Sequence, residues 1–187
     1  MASRKALTGG TDDVNPQFLS ASYTQSGTDS TDVFGFGTPI VRVGNNNNGR
    51  ATIMEILKVY MSLPDAPQAG NAQGAAAALM SLMTATTSTP GTVVPLGDSK
   101  VICAARYTQR AAFTAGGSGL TAYTTEPRII DLTDGAGHGV LVATDNMFVQ
   151  LDTVGMAGAR QFEIKILYRF KTVSLAEYIG IVQSQQA

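Results

Sequence analysis

The chain has 187 residues, a length that fits one well-buried domain and is short for two. Its charged fraction is only 14%, and its 13 basic and 14 acidic residues nearly cancel, so it has no global attraction for nucleic acid or anionic membranes. The single cysteine excludes an internal disulfide framework. A surface built from small uncharged residues is typical of proteins with extensive subunit contacts.

The sequence shows no targeting, glycosylation or membrane signal. Arg4 and Lys5 near the N-terminus are not followed by an apolar run, and no stretch reaches the roughly 18 apolar residues of a membrane span. We therefore expect a soluble protein in a reducing compartment, without a membrane partner.

Frequent glycine, threonine and β-branched residues predict strands that are separated by turns. In chain order, the predicted strands are residues 17–26, 31–36 with 39–43, 100–110, 127–132, 139–144, 146–153 and 161–171. Residues 139–144 and 146–153 can also be read as one strand bent at Asp145. Loops are predicted at residues 44–49, 115–119 and 133–139, where Asn, Gly, Ser and Asp concentrate.

Two further segments fit either a helix or a strand. In residues 51–63, Ile53, Ile56 and Tyr60 share a helical face and Thr52 with Glu55 resembles a capping box, yet strand parity is present as well. Residues 72–86 combine an alanine run with β-favouring threonines. If both are strands, the count reaches the eight antiparallel strands of a jelly-roll sandwich; if both are helices, an α+β domain with a smaller sheet follows.

The sequence marks no catalytic or metal site. The only histidine, His138, lies in a glycine-rich turn, and Cys103 lies in an apolar strand where a buried, inert thiol is expected. Asp131, Asp134 and Asp145 have oxygen ligands for calcium but match no EF-hand spacing. We expect no enzymatic activity, cofactor or metal, and a hydrolase whose residues meet only in three dimensions is the least favoured alternative.

Basic residues concentrate on or beside the strand at 161–171. Lys165, Arg169 and Lys171 share its polar face and Arg160 precedes it, so the four side chains could form a cationic strip that contacts phosphates. The alternative is an ordinary solvated face or a set of ion pairs between subunits. Arg4 and Lys5 are further candidates for nucleic-acid contact, although residues 1–35 are net acidic.

Three stretches resemble a known protein family. The sequences KILYRFKTVSLAEYIGIVQSQ at residues 165–185 and DLTDGAGHGVLVATDN at 131–146 closely resemble capsid proteins of circovirus-like viruses. These are small viruses with circular single-stranded DNA that encode a replication initiator. Residues 5–17, KALTGGTDDVNPQ, are similar to the start of the same coat proteins.

The resemblance implies an all-β fold, a single eight-stranded antiparallel jelly-roll sandwich, with strands at 51–63 and 72–86. It implies an N-terminal arm at residues 1–15, a capsid domain at 16–172, and a segment at 173–187 that packs on its own domain or on a neighbouring subunit. Copies of the chain, 60 in a T=1 icosahedral shell, would enclose a circular single-stranded DNA genome. The protein would then reside in the virion after assembly in the host cell, with the nucleus as one candidate compartment.

This chain departs from the family in one respect. Circovirus coat proteins usually carry a long arginine-rich N-terminal arm, whereas only Arg4 and Lys5 are present here. Contacts with DNA are therefore expected from basic residues and aromatic stacking on the folded domain. Composition and strand pattern also leave open a carbohydrate- or ligand-binding β-sandwich module of a small oligomer.

Overall fold

The computed structural model describes residues 15–39, 49–63, 75–85, 93–113, 119–122, 127–156 and 158–186. In this part of the chain, ten strands precede one helix. The strands are β1 (Gln17–Thr24), β2 (Thr31–Gly37), β3 (Arg50–Ser62), β4 (Ala75–Met83), β5 (Val101–Phe113), β6 (Gly119–Ala122), β7 (Arg128–Asp131), β8 (Val140–Val142), β9 (Asn146–Val154) and β10 (Gln161–Ser174), and the helix is α1 (Leu175–Gln186). The predictions at residues 40–48, 72–74, 86 and 115–118 lie outside the described residues.

The strands form two antiparallel sheets that pack face to face. Sheet A has the order β1-β10-β3-β7, with β8 also paired to β3, and sheet B has the order β2-β9-β4-β5-β6. The pairing is nested, since β1 pairs with β10, β2 with β9, β3 with β7 and β8, and β4 with β5. A long hairpin that folds back on itself in this way is a jelly roll, so the predicted antiparallel jelly-roll sandwich is confirmed, with ten described strands where eight were predicted.

Both ambiguous segments are central strands, β3 and β4. In β3 the inward positions change parity, from Met54 and Ile56 to Val59 and Met61, because a bulge opposite Leu167 and Tyr168 skips Leu57. The outer side of the same strand is buried at Ala51 and Ile53. A strand that is covered on both faces and bulged in the middle loses its simple alternation, which explains the helix-like spacing.

The core lies between the two sheets and follows the alternation predicted for the C-terminal strands. Met147, Val149 and Leu151 of β9 face Phe162, Ile164, Ile166 and Tyr168 of β10 within one buried cluster. Tyr107 of β5 is also buried, and its hydroxyl donates a hydrogen bond of 2.6 Å to the Met61 carbonyl. This bond links sheet B directly to sheet A.

The interpretation of residues 139–153 as one bent strand is wrong. Strand β8 belongs to sheet A and pairs with β3, whereas β9 belongs to sheet B and pairs with β2 and β4. Residues 143–145 cross from one sheet to the other. They are separate strands because the chain leaves sheet A after β8 and enters sheet B at β9.

The C-terminal residues form helix α1, which packs on the outer side of sheet A. Tyr178, Ile181 and Val182 contact a small cluster formed by Ala51, Ile53, Ala143 and Val173. Near the end of α1, the side-chain amide of Gln185 accepts a hydrogen bond from Ala143 N and donates one to Leu141 O. This amide takes the place that a neighbouring strand would have beside β8.

The domain limits at residues 15 and 172 stay predictions, although β10 runs to Ser174 and so crosses the second one. Among the described helices, none is long and apolar enough to cross a membrane.

Candidate functional site

The outer face of sheet A carries an open groove. Antiparallel register aligns two rows of outward side chains across β1, β10, β3 and β7. The first row is Ser20, Lys165, Tyr60 and Ile129, and the second is Phe18, Leu167, Lys58 and Asp131. The groove has a volume of about 730 Å³ and is bordered by residues of β1, β3 and β10, including Phe18, Tyr60 and Lys165. It is the surface where the predicted polar face of β10 meets aromatic side chains.

In this groove two aromatic rings adjoin each other, and one ammonium group lies over the face of the first ring. The Phe18 side chain is 54% exposed, and the Nζ atom of Lys165 lies 4.2 Å from the centroid of its ring. The ring centroids of Phe18 and Tyr60 are 6.4 Å apart, with the rings inclined at 57°. A cation near an aromatic face is attracted by the ring quadrupole, so Lys165 is held over the Phe18 ring.

The other charges of this face are mostly paired. The Nζ atom of Lys58 lies 2.9 Å from the Asp131 carboxylate. Hydrogen bonds from Thr133 and from Lys58 hold the pKa of Asp131 well below its usual range. Glu163 also borders the groove, one row beyond Lys165 and opposite Ser62. In the described part of the chain, Lys165 itself forms no ion pair.

Arg169 and Lys171 share the outer face with Lys165, as predicted, but they neutralise a buried carboxylate. Glu55 is fully buried, its Oε2 accepts a hydrogen bond from Arg169 Nε, and its Oε1 lies 3.7 Å from Lys171 Nζ. Burial alone would raise the pKa of Glu55, but the hydrogen bonds from Arg169 and Gly139 and the Lys171 charge outweigh it and lower the pKa. The lowered pKa favours the ionised form of Glu55, and its two partly exposed cations are engaged with this buried carboxylate.

The same cluster anchors the loop between β7 and β8. Arg169 Nη2 donates to the Gly137 carbonyl at 2.9 Å, and Gly139 N donates to Glu55 Oε1 at 3.0 Å. A Cβ atom at Gly139 would lie 2.0 Å from the Ile56 carbonyl oxygen, so only glycine permits this close approach to β3. The predicted turn at residues 133–139 is therefore a tightly held loop.

Arg160 does not belong to the outer-face rows. Its backbone N donates to Gln25 Oε1, and its carbonyl accepts from Gln25 N, beside the turn that connects β1 to β2. Arg4 and Lys5 lie outside the described residues. Of the six predicted nucleic-acid contacts, Lys165, Arg169 and Lys171 therefore share one face of β10.

The residues considered for catalysis or metal binding make local contacts. His138 is exposed, and its Nδ1 lies 3.0 Å from Asp134 Oδ2 within the same loop. Burial raises the pKa of the Cys103 thiol to about 12, which disfavours the reactive thiolate. Among the described residues, no three His, Cys, Asp or Glu side chains are arranged to hold a metal, so Asp131, Asp134 and Asp145 form no common ligand set.

Sequence reasoning missed Phe18, Tyr60 and Glu55. The alternation in residues 161–171 correctly predicts that Lys165 points outward, but the identity of its neighbours depends on pairing with residues 20 and 60. No local pattern reports such distant pairing. The available signal was Phe18 itself, an aromatic side chain in a predicted strand with polar neighbours.

No family model matches this sequence, and no curated protein matches it. The fold is similar to that of the human polyomavirus 7 VP1 pentamer, with a TM-score of 0.51 and 9% identity over 87% of this chain and 99% of that one. VP1 of trichodysplasia spinulosa-associated polyomavirus in complex with GM1 oligosaccharide has a TM-score of 0.49 and 12% identity over 89% and 97%. VP1 of human polyomavirus 12 in complex with 3'-sialyllactosamine has a TM-score of 0.48 and 8% identity over 86% and 100%. The polyomavirus 7 comparison shows a shared fold.

Proposed function

We propose that this chain is the coat protein of a small icosahedral virus, a structural subunit without enzymatic activity. The observation that carries the proposal is the nested strand pairing, which accounts for all the described strands except the short edge strand β6. Viral capsids are among the proteins built on double-sheet jelly rolls. The resemblance of residues 131–146 and 165–185 to circovirus-like capsid proteins supports the same conclusion, as does the likeness in fold to a viral VP1.

Assembly is the proposed mechanism. A rigid sandwich offers its loops and edges to symmetry-related copies, and closed symmetry multiplies contacts that are individually weak. Exposed apolar side chains outside the groove are candidates for such contacts, because subunit interfaces are depleted of charge at their centres. They are Val33, Leu96, Ile129, Val154, Leu175 and Ile179.

The finer form of the proposal is a T=1 shell of 60 copies around circular single-stranded DNA. It rests on the sequence resemblance, since the fold alone is shared by many shells of other sizes. The protein would be found in the virion after assembly in the host cell, with the nucleus as one candidate compartment. The proposed DNA contact of this chain lies on the folded domain, where β10 exposes Lys165 beside aromatic side chains.

Electron microscopy and sedimentation of the purified full chain test the proposal. We expect uniform closed shells, and mass measurement of the shells should give 60 copies. Nucleic acid extracted from nuclease-treated particles should be circular and sensitive to a single-strand-specific DNase. A stable monomer or small oligomer would contradict the shell and favour the ligand-binding module, whereas RNA or double-stranded DNA inside shells would contradict only the finer form.

A further inference from the structure

We propose that the groove on the outer face of sheet A binds single-stranded DNA, with Phe18 and Tyr60 as stacking platforms for bases and Lys165 as the phosphate contact. The identity of this ligand as the genome rests on the proposed function. The inference assigns the contact to Lys165 among the basic residues of β10, and it adds two aromatic residues that no motif marks.

The aromatic side chains supply the first part of the argument. Phe18 is 54% exposed on an edge strand, although burial of a phenylalanine side chain away from water is energetically favourable. The Tyr60 ring adjoins it, with centroids 6.4 Å apart. Every base has a flat π surface, so stacking on such rings binds single strands with little preference for sequence. Two inclined rings provide adjoining platforms for successive bases.

The position of the cation supplies the second part. Lys165 Nζ lies over the Phe18 ring, 4.2 Å from its centroid, so a base that takes the place of the ammonium on this ring would bring its own backbone phosphate within reach of the ammonium. Lys165 is exposed and is in no ion pair within the described part of the chain. A phosphate can therefore bind without breaking an existing ion pair.

The remaining cations of this face are less suitable. Arg169 and Lys171 neutralise the buried Glu55, and drawing either toward a phosphate would leave that carboxylate undercompensated. Lys58 is paired with Asp131 at 2.9 Å. Lys165 is therefore the main phosphate contact that we propose, and Lys58 in the adjoining row is a second cation.

Glu163 determines the direction of the phosphate path. It borders the groove two residues before Lys165 on the same face of β10, and its negative charge disfavours a phosphate at that end. The path consequently lies on the Phe18 and Lys58 side of Lys165. Replacing Glu163 with glutamine should strengthen binding, which a neutral ligand would not show.

Fluorescence anisotropy with a labelled twelve-nucleotide oligo-dT, at concentrations below assembly, tests the inference on the full chain. Phe18→Ser and Lys165→Gln should each weaken binding roughly tenfold, in line with the contribution of one stacked base or one phosphate contact. Lys165→Gln should also reduce the slope of log affinity against log salt by about 0.7, whereas Phe18→Ser should leave it unchanged. Tyr60→Ser gives a third variant, and thermal unfolding of each verifies that it is folded.

Matched controls come from residues outside the groove. Val33→Ser removes an exposed apolar side chain from sheet B, and Lys100→Gln removes a lysine from the connection before β5; both should bind oligo-dT like the wild type. Wild-type affinity in folded Phe18→Ser and Lys165→Gln proteins would overturn the inference. A Phe18→Ser protein that forms no shells but keeps its affinity for oligo-dT would also overturn the inference, because the outer face of sheet A would then be a contact between subunits.

The two proposals can fail independently. Shell formation is scored by microscopy and oligonucleotide binding by anisotropy. If the wild type forms shells and the groove variants bind oligo-dT with unchanged affinity, the groove proposal is overturned and the coat-protein proposal stands. If the wild type forms no shells but the groove variants lose oligo-dT binding, the coat-protein proposal is overturned and the groove proposal stands.

Discussion

Arg169 of β10 donates a hydrogen bond from Nε to the fully buried carboxylate of Glu55 on the adjacent strand β3, where the two residues are direct cross-strand partners. The same guanidinium reaches the Gly137 carbonyl, and the same carboxylate accepts from Gly139 N. One ion pair therefore joins two central strands and the loop between β7 and β8.

Removing one member of this pair should destabilise the fold. Glu55→Gln and Arg169→Gln are each expected to lower the free energy of unfolding by about 3 kcal/mol, the lower end for broken buried pairs, because Arg169 is partly exposed. Urea denaturation measures the loss. Lys58→Gln, which breaks the exposed pair with Asp131, is the control and should shift the midpoint little. Equal shifts in all three variants would contradict the assigned role.

Lowering the pH should reduce the free energy of unfolding more in the wild type than in the Glu55→Gln variant. In the folded protein the pKa of Glu55 lies below its ordinary value of 4.5. Ionised Glu55 therefore stabilises the fold fully above the ordinary pKa, and this contribution to stability is lost as the pH falls through the lower pKa of the folded state. Asp32, Asp131 and Asp134 also have lowered pKa values and add to acid sensitivity in both proteins. The difference in unfolding free energy between the two proteins, measured from pH 7 to pH 3, should narrow toward low pH. A constant difference would show that Glu55 is not ionised.

Gly139→Ala should be strongly destabilising. The added Cβ atom would meet the Ile56 carbonyl oxygen at 2.0 Å, and moving β3 away from the loop is expected to lower the free energy of unfolding by about 2–3 kcal/mol. Gly180→Ala is the matched control, since a Cβ there meets nothing within 4 Å and alanine favours the helix by up to about 1 kcal/mol. Thermal unfolding should therefore shift in opposite directions for the two variants.

Gln185 should stabilise the edge of β8. In Gln185→Ala, the Leu141 carbonyl and the Ala143 amide lose their side-chain partner, and we expect a loss of about 1–3 kcal/mol. Gln183→Ala changes an exposed residue of the same helix and should be nearly neutral. Faster hydrogen exchange at the Ala143 amide in the first variant alone would locate the effect, and unchanged exchange would count against it.

Deletion of residues 176–187 should impair stability and assembly together. The truncated chain loses the contacts of Tyr178, Ile181 and Val182 with Ile53 and Val173, and it exposes that apolar cluster. Sedimentation and microscopy should show aggregates or unassembled subunits. Normal shells with an unchanged unfolding transition would contradict a structural role for α1.

The amino-acid sequence by itself determined the elements whose two faces differ. Strands β9 and β10 each have a core face and a more polar face, so alternation predicted both strands and the outward direction of Lys165, Arg169 and Lys171. The sequence could not decide β3, because α1 covers one side of its first half and the bulge at Leu57 changes its parity. There the resemblance to viral coat proteins favoured the strand.

Only the tertiary structure decided which cations are available. Lys165, Arg169 and Lys171 are equivalent in the alternating pattern of β10, yet the first lies beside Phe18 and the other two are committed to Glu55. Thr52 and Glu55 resemble a local helix-capping pair in the sequence. In the structure, Glu55 instead accepts a hydrogen bond across the sheet from Arg169, 114 positions away. Pairing between distant strands sets these environments, because a strand's own sequence specifies which side chains point outward but not which neighbours they meet.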